Sequence, residues 1–380
     1  MYALVIGRAY PDKKTGMMGI FEYEQAVAIN KYGFKTIYSF CDTRSIKSLR
    51  KFNHVKLDSS EIPVYGYHLP IGGTPRKIFD SLKFQYNKKI LNQILKDHGK
   101  PSVIHVHFPL LNLNKEVWGM LRNLNVPIVV TEHWTKVQNK SIESYRVDLL
   151  KQIVEETNTF ICVGEPLRKS VVDLTGTNKE IKVVPNMVKP NFYYQETIKD
   201  KKTFDFITVG RLVEVKRFGL AIEAFTKAFK NDDRLRMHIV GDGPLFDKLK
   251  KQIIDYGMKD RIIMHGFLSR EKTAEILQNA DVFFSASILE TFGVPFIEAM
   301  ACGKPVIGVE NGPIDVYINE HNGVLVEKDN LKEMTSVLRK VYNDRKYYTG
   351  KKISNLAQKI FSEKSIAKEL INIYNDTELD

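Results

Sequence analysis

The sequence predicts an α/β protein built from two doubly wound parallel sheets, and three observations carry that prediction. The chain has 380 residues, which is long for a single core and natural for two domains. Short apolar runs alternate with helix-period segments through both halves, the pattern of parallel sheets with crossover helices. Between the halves lies the polar stretch YYQETIKDKKTFD, Tyr193 to Asp205, which has no sustained apolar period and reads as a linker. The expected division is therefore a first domain over 1–192, a linker over 193–205, a second domain over 206–362, and a C-terminal helix over 363–380 returning to the first domain.

In the first half the strand candidates are Ala3–Gly7, Thr36–Phe40, Val103–His107, Ile128–Thr131, Phe160–Val163 and Ile181–Val184. Each is a short apolar block of the kind that parallel sheets bury on both faces. The opening strand does not lead into GxGxxG, because Gly7, Gly16 and Gly19 are too widely spaced, and no Walker lysine pattern occurs. Nicotinamide chemistry and P-loop hydrolysis are set aside, and no cofactor is expected. Gly16 and Gly19 allow a loop to approach a ligand, such as an acceptor or phosphate, before the helix that starts near Phe21; a plain flexible loop is the alternative. The segment Arg76–Lys96 places Ile78, Phe79, Leu82, Tyr86, Ile90 and Ile94 at helical spacing among Arg76, Lys77, Lys83, Lys88 and Lys89. Such a helix can lie on a bilayer or pack on its own sheet with a solvated lysine face, and both readings stay open. His105 and His107 form HVH at a strand end, with core packing the default and a ligand or acceptor role the alternative.

The second half repeats the plan with strands at Phe206–Gly210, Met237–Gly241, Ile262–His265, Val282–Ser285 and Pro305–Val309, and helices such as Gly219–Lys230 and Phe246–Tyr256. Its most informative segment is LETFGVPFIEAMACGKPVIG. DVFFSAS, Asp281 to Ser287, is a buried strand that delivers Glu290 into a loop. Gly293 and Pro295 then suit a tight backbone path and a first helical turn, so the helix turns Phe296, Ala299 and Met300 inward. Its N-terminus offers free N–H groups and the positive end of a dipole. Glu298 falls about one turn in, so both carboxylates can border one cleft at the C-terminal edge of the sheet. A lone Glu on a helix is ordinarily solvent-facing; the surrounding Gly and Pro argue otherwise. Three other segments, VGRLVEVKR at 209–217, VGDGP at 240–244 and HGFL at 265–268, start near strand ends and should overlook the same crevice. Arg211 and Lys216 there supply a planar fork and a point charge suited to a diphosphate.

The composition narrows the partners. The formal charge is +12, and residues 1–190 hold 28 Lys+Arg against 17 Asp+Glu while residues 191–380 hold 29 against 28. A basic first half points to a polyanionic partner. No zinc-finger or aromatic RNA-binding signature supports nucleic acid, which leaves an anionic membrane surface as the candidate. No signal-peptide pattern or membrane-length apolar stretch is present, so the expected location is the cytoplasm, with peripheral attachment to the inner face of the cell membrane open. Cys41, Cys162 and Cys302 are few and far apart, which argues for reduced thiols and against a disulfide framework or a zinc cluster.

On the E-x7-E motif of Glu290 and Glu298, the GRL-x3-K stretch of Arg211 and Lys216, and the VPN of Val184 to Asn186, the chain resembles the retaining nucleotide-sugar glycosyltransferases of family 4 (group 1). GMMGIFEYEQ, Gly16 to Gln25, is similar to the loop and first helix of bacterial polysaccharide-assembly members. The resemblance implies the GT-B fold, two Rossmann-like domains facing a central cleft. It also implies that Arg211 and Lys216 hold the donor diphosphate, Glu298 the ribose hydroxyls and Glu290 the donor sugar. Backbone N–H groups of Phe292, Gly293 and Val294 would meet phosphate or sugar, Phe267 and Leu268 would flank the base, and His133, in TEHW, would face the transferred sugar near its anomeric centre. The implied reaction retains the anomeric configuration, with the leaving phosphate taking the acceptor's proton and no protein nucleophile. No metal is needed if two cations and a helix dipole neutralise the diphosphate, and no Asp-x-Asp occurs. The acceptor would be a glycan or lipid-linked glycan in cell-surface polysaccharide synthesis, with UDP the family's commoner nucleotide.

The chain departs from that family at Arg217, where Gly is usual, at Met187 after VPN, at Trp134 after His133, and at Met17 and Met18 within the N-terminal glycine pair. Three rivals remain. A glycoside hydrolase also uses two carboxylates, but has no need of Arg211 and Lys216. A nucleotide-sugar epimerase can share the architecture, and a nucleotide-sugar-binding scaffold subunit could retain it without catalysis.

Overall fold

The computed structural model describes residues 1–11, 18–45, 51–58, 61–196, 201–310 and 312–377. The chain divides into two compact units, Met1–Pro185 with Ile366–Asp380, and Asn186–Ser365. The division thus falls at Pro185, ahead of the polar 193–205 stretch, and residues 186–192 pack with the second unit. One reason is visible in the backbone, where Val188 N–H donates to the Phe361 carbonyl at 2.8 Å.

The first unit holds an eight-stranded sheet. Its strands are β1 (Ala3–Gly7), β2 (Thr36–Asp42), β3 (Asn53–Leu57), β4 (Val64–His68), β5 (Val103–His107), β6 (Ile128–Glu132), β7 (Thr159–Cys162) and β8 (Ile181–Val183), in the order β3-β4-β2-β1-β5-β6-β7-β8. All neighbours are parallel except β3 with β4. β3 and β4 are absent from the sequence reading for identifiable reasons. β3 is a largely exposed edge strand without an apolar block, and β4 is interrupted by Gly66, where a Cβ would lie 2.3 Å from the Phe40 ring.

The second unit holds a six-stranded, all-parallel sheet: β9 (Phe204–Val209), β10 (Leu235–Val240), β11 (Ile262–Gly266), β12 (Val282–Phe284), β13 (Val306–Val309) and β14 (Gly323–Val326), in the order β11-β10-β9-β12-β13-β14. Phe206, Phe225, Phe229 and Phe284 anchor its core between the sheet and the helices Phe218–Phe229 and Leu331–Asn343. Only the short edge strand β14 was missed.

In each sheet the order reverses about one strand. β1 has β2 on one side and β5 on the other; β9 has β10 on one side and β12 on the other. Helices leave such a pair of neighbouring strands in opposite directions, which opens a crevice beyond their carboxyl ends where α/β folds bind ligands. Sequence cannot supply this order, and it is what gathers the functional side chains.

The helix Arg76–His98 packs Ile90, Leu91 and Ile94 inward but leaves Ile78 51% exposed near its start. Lys83 does not belong to a solvated lysine face, because it is 3% exposed and its ammonium donates to the Leu111 carbonyl at 2.7 Å. Burial lowers that amine to about 8. Among the described residues no helix is long and apolar enough to cross a membrane. The three cysteines are buried and unpaired.

Candidate active site

In the second unit the four segments singled out by sequence are joined through their backbones. Gly210 N–H donates to the Val240 carbonyl at 3.0 Å, Leu212 N–H to Asp242 at 2.9 Å, Gly241 N–H to Gly266 at 2.9 Å and Ile288 N–H to Val215 at 3.1 Å. The approach is close enough to require glycine. At Gly241, with φ of 141°, a Cβ would stand 1.9 Å from the Gly210 carbonyl oxygen. The loops after β9, β10 and β12 are thereby fixed at the reversal point of the sheet.

Two ion pairs mark this edge. Lys216 Nζ donates to Glu290 Oε1 at 2.6 Å, and Arg270 Nη2 donates to Glu298 Oε1 at 2.6 Å. Glu290 is 8% and Glu298 6% exposed, so neither is the solvated surface residue that a lone Glu usually is. Buried carboxylates need a charged or hydrogen-bonding partner, and each has one. Arg270 was not anticipated from sequence. It follows Ser269, which caps the helix Arg270–Asn279 through a bond from Lys272 N–H, and nothing in SREK distinguishes it from a surface cation before folding.

Arg211, by contrast, is exposed and makes no side-chain hydrogen bond or ion pair among the described residues. Gly293, with φ of 96°, opens the helix Val294–Ala301 without a side-chain cap, and Pro295 sits in its first turn. The expected inward residues Phe296, Ala299 and Met300 are buried, and Phe292 is buried beside them. Phe267 is 66% exposed just past the left-handed Gly266, and Leu268 is partly exposed next to it. Arg217, the family departure, has φ of 52°, so the position has the left-handed geometry that favours glycine. Its guanidinium lies 3.0 Å from Asp329 Oδ1.

The first unit carries a second cluster at its own reversal point, beyond β1, β5 and β6. His133 follows β6, and its Nε2 lies 2.9 Å from His107 Nδ1. Both histidines of HVH are buried, as the default of core packing expects; His107 meets His133, and His105 lies between the Tyr374 hydroxyl at 2.6 Å and the Thr131 hydroxyl at 2.7 Å. Burial pushes all three imidazoles well below the usual histidine range, so they are neutral. Glu132, missed by sequence, is fully buried, and its Oε1 accepts the N–H groups of His133 and Trp134, both at 2.8 Å. Burial raises its carboxyl to about 7. Arg8, at the end of β1, donates to Glu22 at 2.6 Å and lies 3.5 Å over the Phe108 ring.

Gly19 has φ of 83°, and a Cβ there would meet the Ala9 carbonyl oxygen at 1.8 Å. Its glycine therefore has a reason in the protein's own backbone. Gly16 lies outside the described residues.

Two family models match the chain in succession, Glycosyltransferase Family 4 over residues 54–192 and Glycosyl transferases group 1 over residues 191–359. The chain is similar to N-acetyl-alpha-D-glucosaminyl L-malate synthase of Bacillus anthracis, 24% identical over 72% of this chain and 74% of that protein. It is also similar to the gpi3 subunit of phosphatidylinositol N-acetylglucosaminyltransferase from Schizosaccharomyces pombe, 24% identical over 74% of this chain and 62% of that protein. A Staphylococcus aureus poly(ribitol-phosphate) alpha-N-acetylglucosaminyltransferase is 30% identical over 44% of this chain and 34% of its own length. Among solved structures, sucrose-phosphate synthase from Thermosynechococcus elongatus superposes with a TM-score of 0.75 at 18% identity, over 99% of both chains. Anabaena HepE, in complex with UDP and glucose, superposes at 0.73 and 16% identity, over 99% of this chain and 100% of its own. Likeness at such identities speaks for the fold, and the successive family models speak for the family: the chain belongs to the group 1 (family 4-like) glycosyltransferases and has the GT-B fold.

Proposed function

We propose that this glycosyltransferase moves a sugar, with retention of configuration, from a nucleotide-sugar donor to a hydroxyl of a glycan or lipid-linked glycan in the assembly of a cell-surface polysaccharide. The observation that carries the reading is the charged edge of the second unit, where Lys216 meets the buried Glu290 at 2.6 Å beside an exposed Arg211 and an uncapped helix start at Gly293. In the reaction the bond between the anomeric carbon and the diphosphate oxygen breaks while the acceptor oxygen attacks the same face. The acceptor's proton passes to the departing phosphate.

Positive charge grows on the sugar and negative charge on the diphosphate. Arg211, Lys216 and the N–H groups of Phe292, Gly293 and Val294 are assigned to the diphosphate, as preorganised cations and dipoles aimed where charge develops. Glu290 is assigned to the donor sugar, Glu298 to the ribose hydroxyls, Phe267 and Leu268 to the base, and His133 of the first unit to the transferred sugar. Gly16 and Gly19 are assigned to the acceptor side. On this reading Lys216 exchanges part of its contact with Glu290 for phosphate when donor binds, and two cations with a dipole make a metal unnecessary. UDP is the preferred nucleotide, a choice supported by solved complexes of HepE and of S. aureus TarM with UDP.

An anionic membrane surface is the proposed partner of the basic first unit, where Arg76, Lys77, Lys88 and Lys89 are exposed on one helix with Ile78. Sedimentation with anionic vesicles at low salt tests it, and failure to sediment overturns it.

The function itself is tested by incubating the protein with UDP- and GDP-sugars, with and without EDTA, while following thermal stabilisation and nucleotide release. Stabilisation by one donor, with release that EDTA leaves unchanged, is expected. Stabilisation without release, with or without a glycan acceptor, overturns the transferase reading in favour of a nucleotide-sugar-binding scaffold subunit, and silence across the panel overturns the donor assignment. Release that vanishes in EDTA overturns metal independence.

A further inference from the structure

His107 closes β5 and His133 follows β6, and the 2.9 Å contact between His107 Nδ1 and His133 Nε2 holds one shared proton. Two neutral imidazoles can arrange it in two ways. If His133 donated from Nε2, His107 would carry its own proton on Nε2, an atom that is buried without a partner. In the backbone, orphaned buried N–H groups are rarer than under-satisfied carbonyls, and the same preference is applied to this imidazole. If His107 donates from Nδ1 instead, its Nε2 is a bare lone pair and His133 must carry its proton on Nδ1. That atom has no partner among the described residues.

We propose that His107 is a positioning residue that locks His133 in the Nδ1–H tautomer, so that His133 presents a single N–H donor to an oxygen of the transferred sugar or its leaving phosphate. The surroundings hold the ring in that state. Glu132 pins the backbone of His133 and Trp134 with two 2.8 Å hydrogen bonds. The Phe108 ring stacks on His133 with centroids 4.7 Å apart and planes 22° apart. Phe108 itself has φ of 48° directly before Pro109, a combination that steric repulsion disfavours and that the surrounding packing must impose. Burial first, and then the positive charge of the Arg8 guanidinium, which lies 3.5 Å over the Phe108 ring, keep His133 neutral. The consequence for transfer rests on the proposed role of His133; the tautomer does not.

The full-length protein labelled with 15N-histidine, with His133→Gln to assign the signal, tests the tautomer through two-bond proton–nitrogen correlations. A protonated Nδ1 on His133 is expected, and a protonated Nε2 overturns the assignment. His107→Asn keeps an amide N–H donor in reach of His133, whereas His107→Asp offers only an acceptor and draws the proton onto Nε2. With folding of both checked by thermal unfolding, His107→Asn should keep most of kcat/KM and His107→Asp should lose roughly a hundredfold, the scale of losing one preorganised donor. Equal activity in the two variants, high or low, overturns the positioning role. Full activity of His133→Ala overturns the role given to His133 and with it the consequence for transfer, while the correlation spectrum still decides the hydrogen bond.

Discussion

Replacing Arg270 with Met should destabilise the protein sharply, because it removes the guanidinium partner of a carboxylate that the fold has already taken out of water. Glu298 is 6% exposed and receives the guanidinium at 2.6 Å. The side chains of the pair are 10% and 8% exposed, so solvent screens the contact little. Removing one partner of a buried pair typically costs about 3–5 kcal/mol. The lower end applies here because Met keeps part of the apolar stem that packs toward Phe192, 5.7 Å from the guanidinium carbon. About 3 kcal/mol lowers Tm by roughly 6–12 °C for a unit of this size. Urea unfolding and calorimetry of Arg270→Met, Glu298→Gln and the double variant measure it as a cycle. The double variant should recover more than half of the loss, since the buried amide carries no charge. A loss below about 1 kcal/mol in Arg270→Met, the range of exposed pairs, would refute the argument that burial makes this contact matter.

Other outcomes can be checked alongside. Glu132 titrates near 7 in the fold, above its ordinary 4.5 because of burial. Stability from this group is therefore full below about 4.5 and is lost as pH rises through about 7, a swing of about 3 kcal/mol. Glu132→Gln should keep an acceptor for the His133 and Trp134 N–H groups and flatten that dependence in thermal unfolding from pH 4.5 to 8. Lys216→Met and Glu290→Ala should each reduce transfer by roughly 10²–10³ with the fold retained, measured as nucleotide release with a donor that stabilises the wild type; a fully active Glu290→Ala removes Glu290 from the chemistry. At Arg217, relief of left-handed strain is worth roughly 1–2 kcal/mol, and the half-exposed pair with Asp329 about 0–1. Arg217→Gly should thus be neutral or stabilising in urea unfolding and Arg217→Val destabilising.

The sequence by itself determined the elements and much of the chemistry. Apolar blocks bounded by turn residues located eleven strand candidates, because a central parallel strand is buried on both faces and must be apolar throughout. It missed β3, β4 and β14 because edge strands escape that requirement and because Gly66 breaks the pattern where the Phe40 ring needs room. Gly and Pro around Glu290 and Glu298 marked the site, since glycine suits the left-handed turn at Gly293 and proline the first helical turn after it. Arg270, Glu132 and the link between His107 and His133 were not legible. The Arg270–Glu298 and His107–His133 contacts depend on separate segments meeting, and Glu132, whose partners are the next two N–H groups, depends on the burial of its strand end; neither is written in local periodicity. Tertiary structure decided them by reversing the order about β1 and about β9, which brings loop ends distant in sequence to one edge. Burial then turned ordinary side chains into paired or neutral ones, because a charge or N–H removed from water must find a partner or give up its proton.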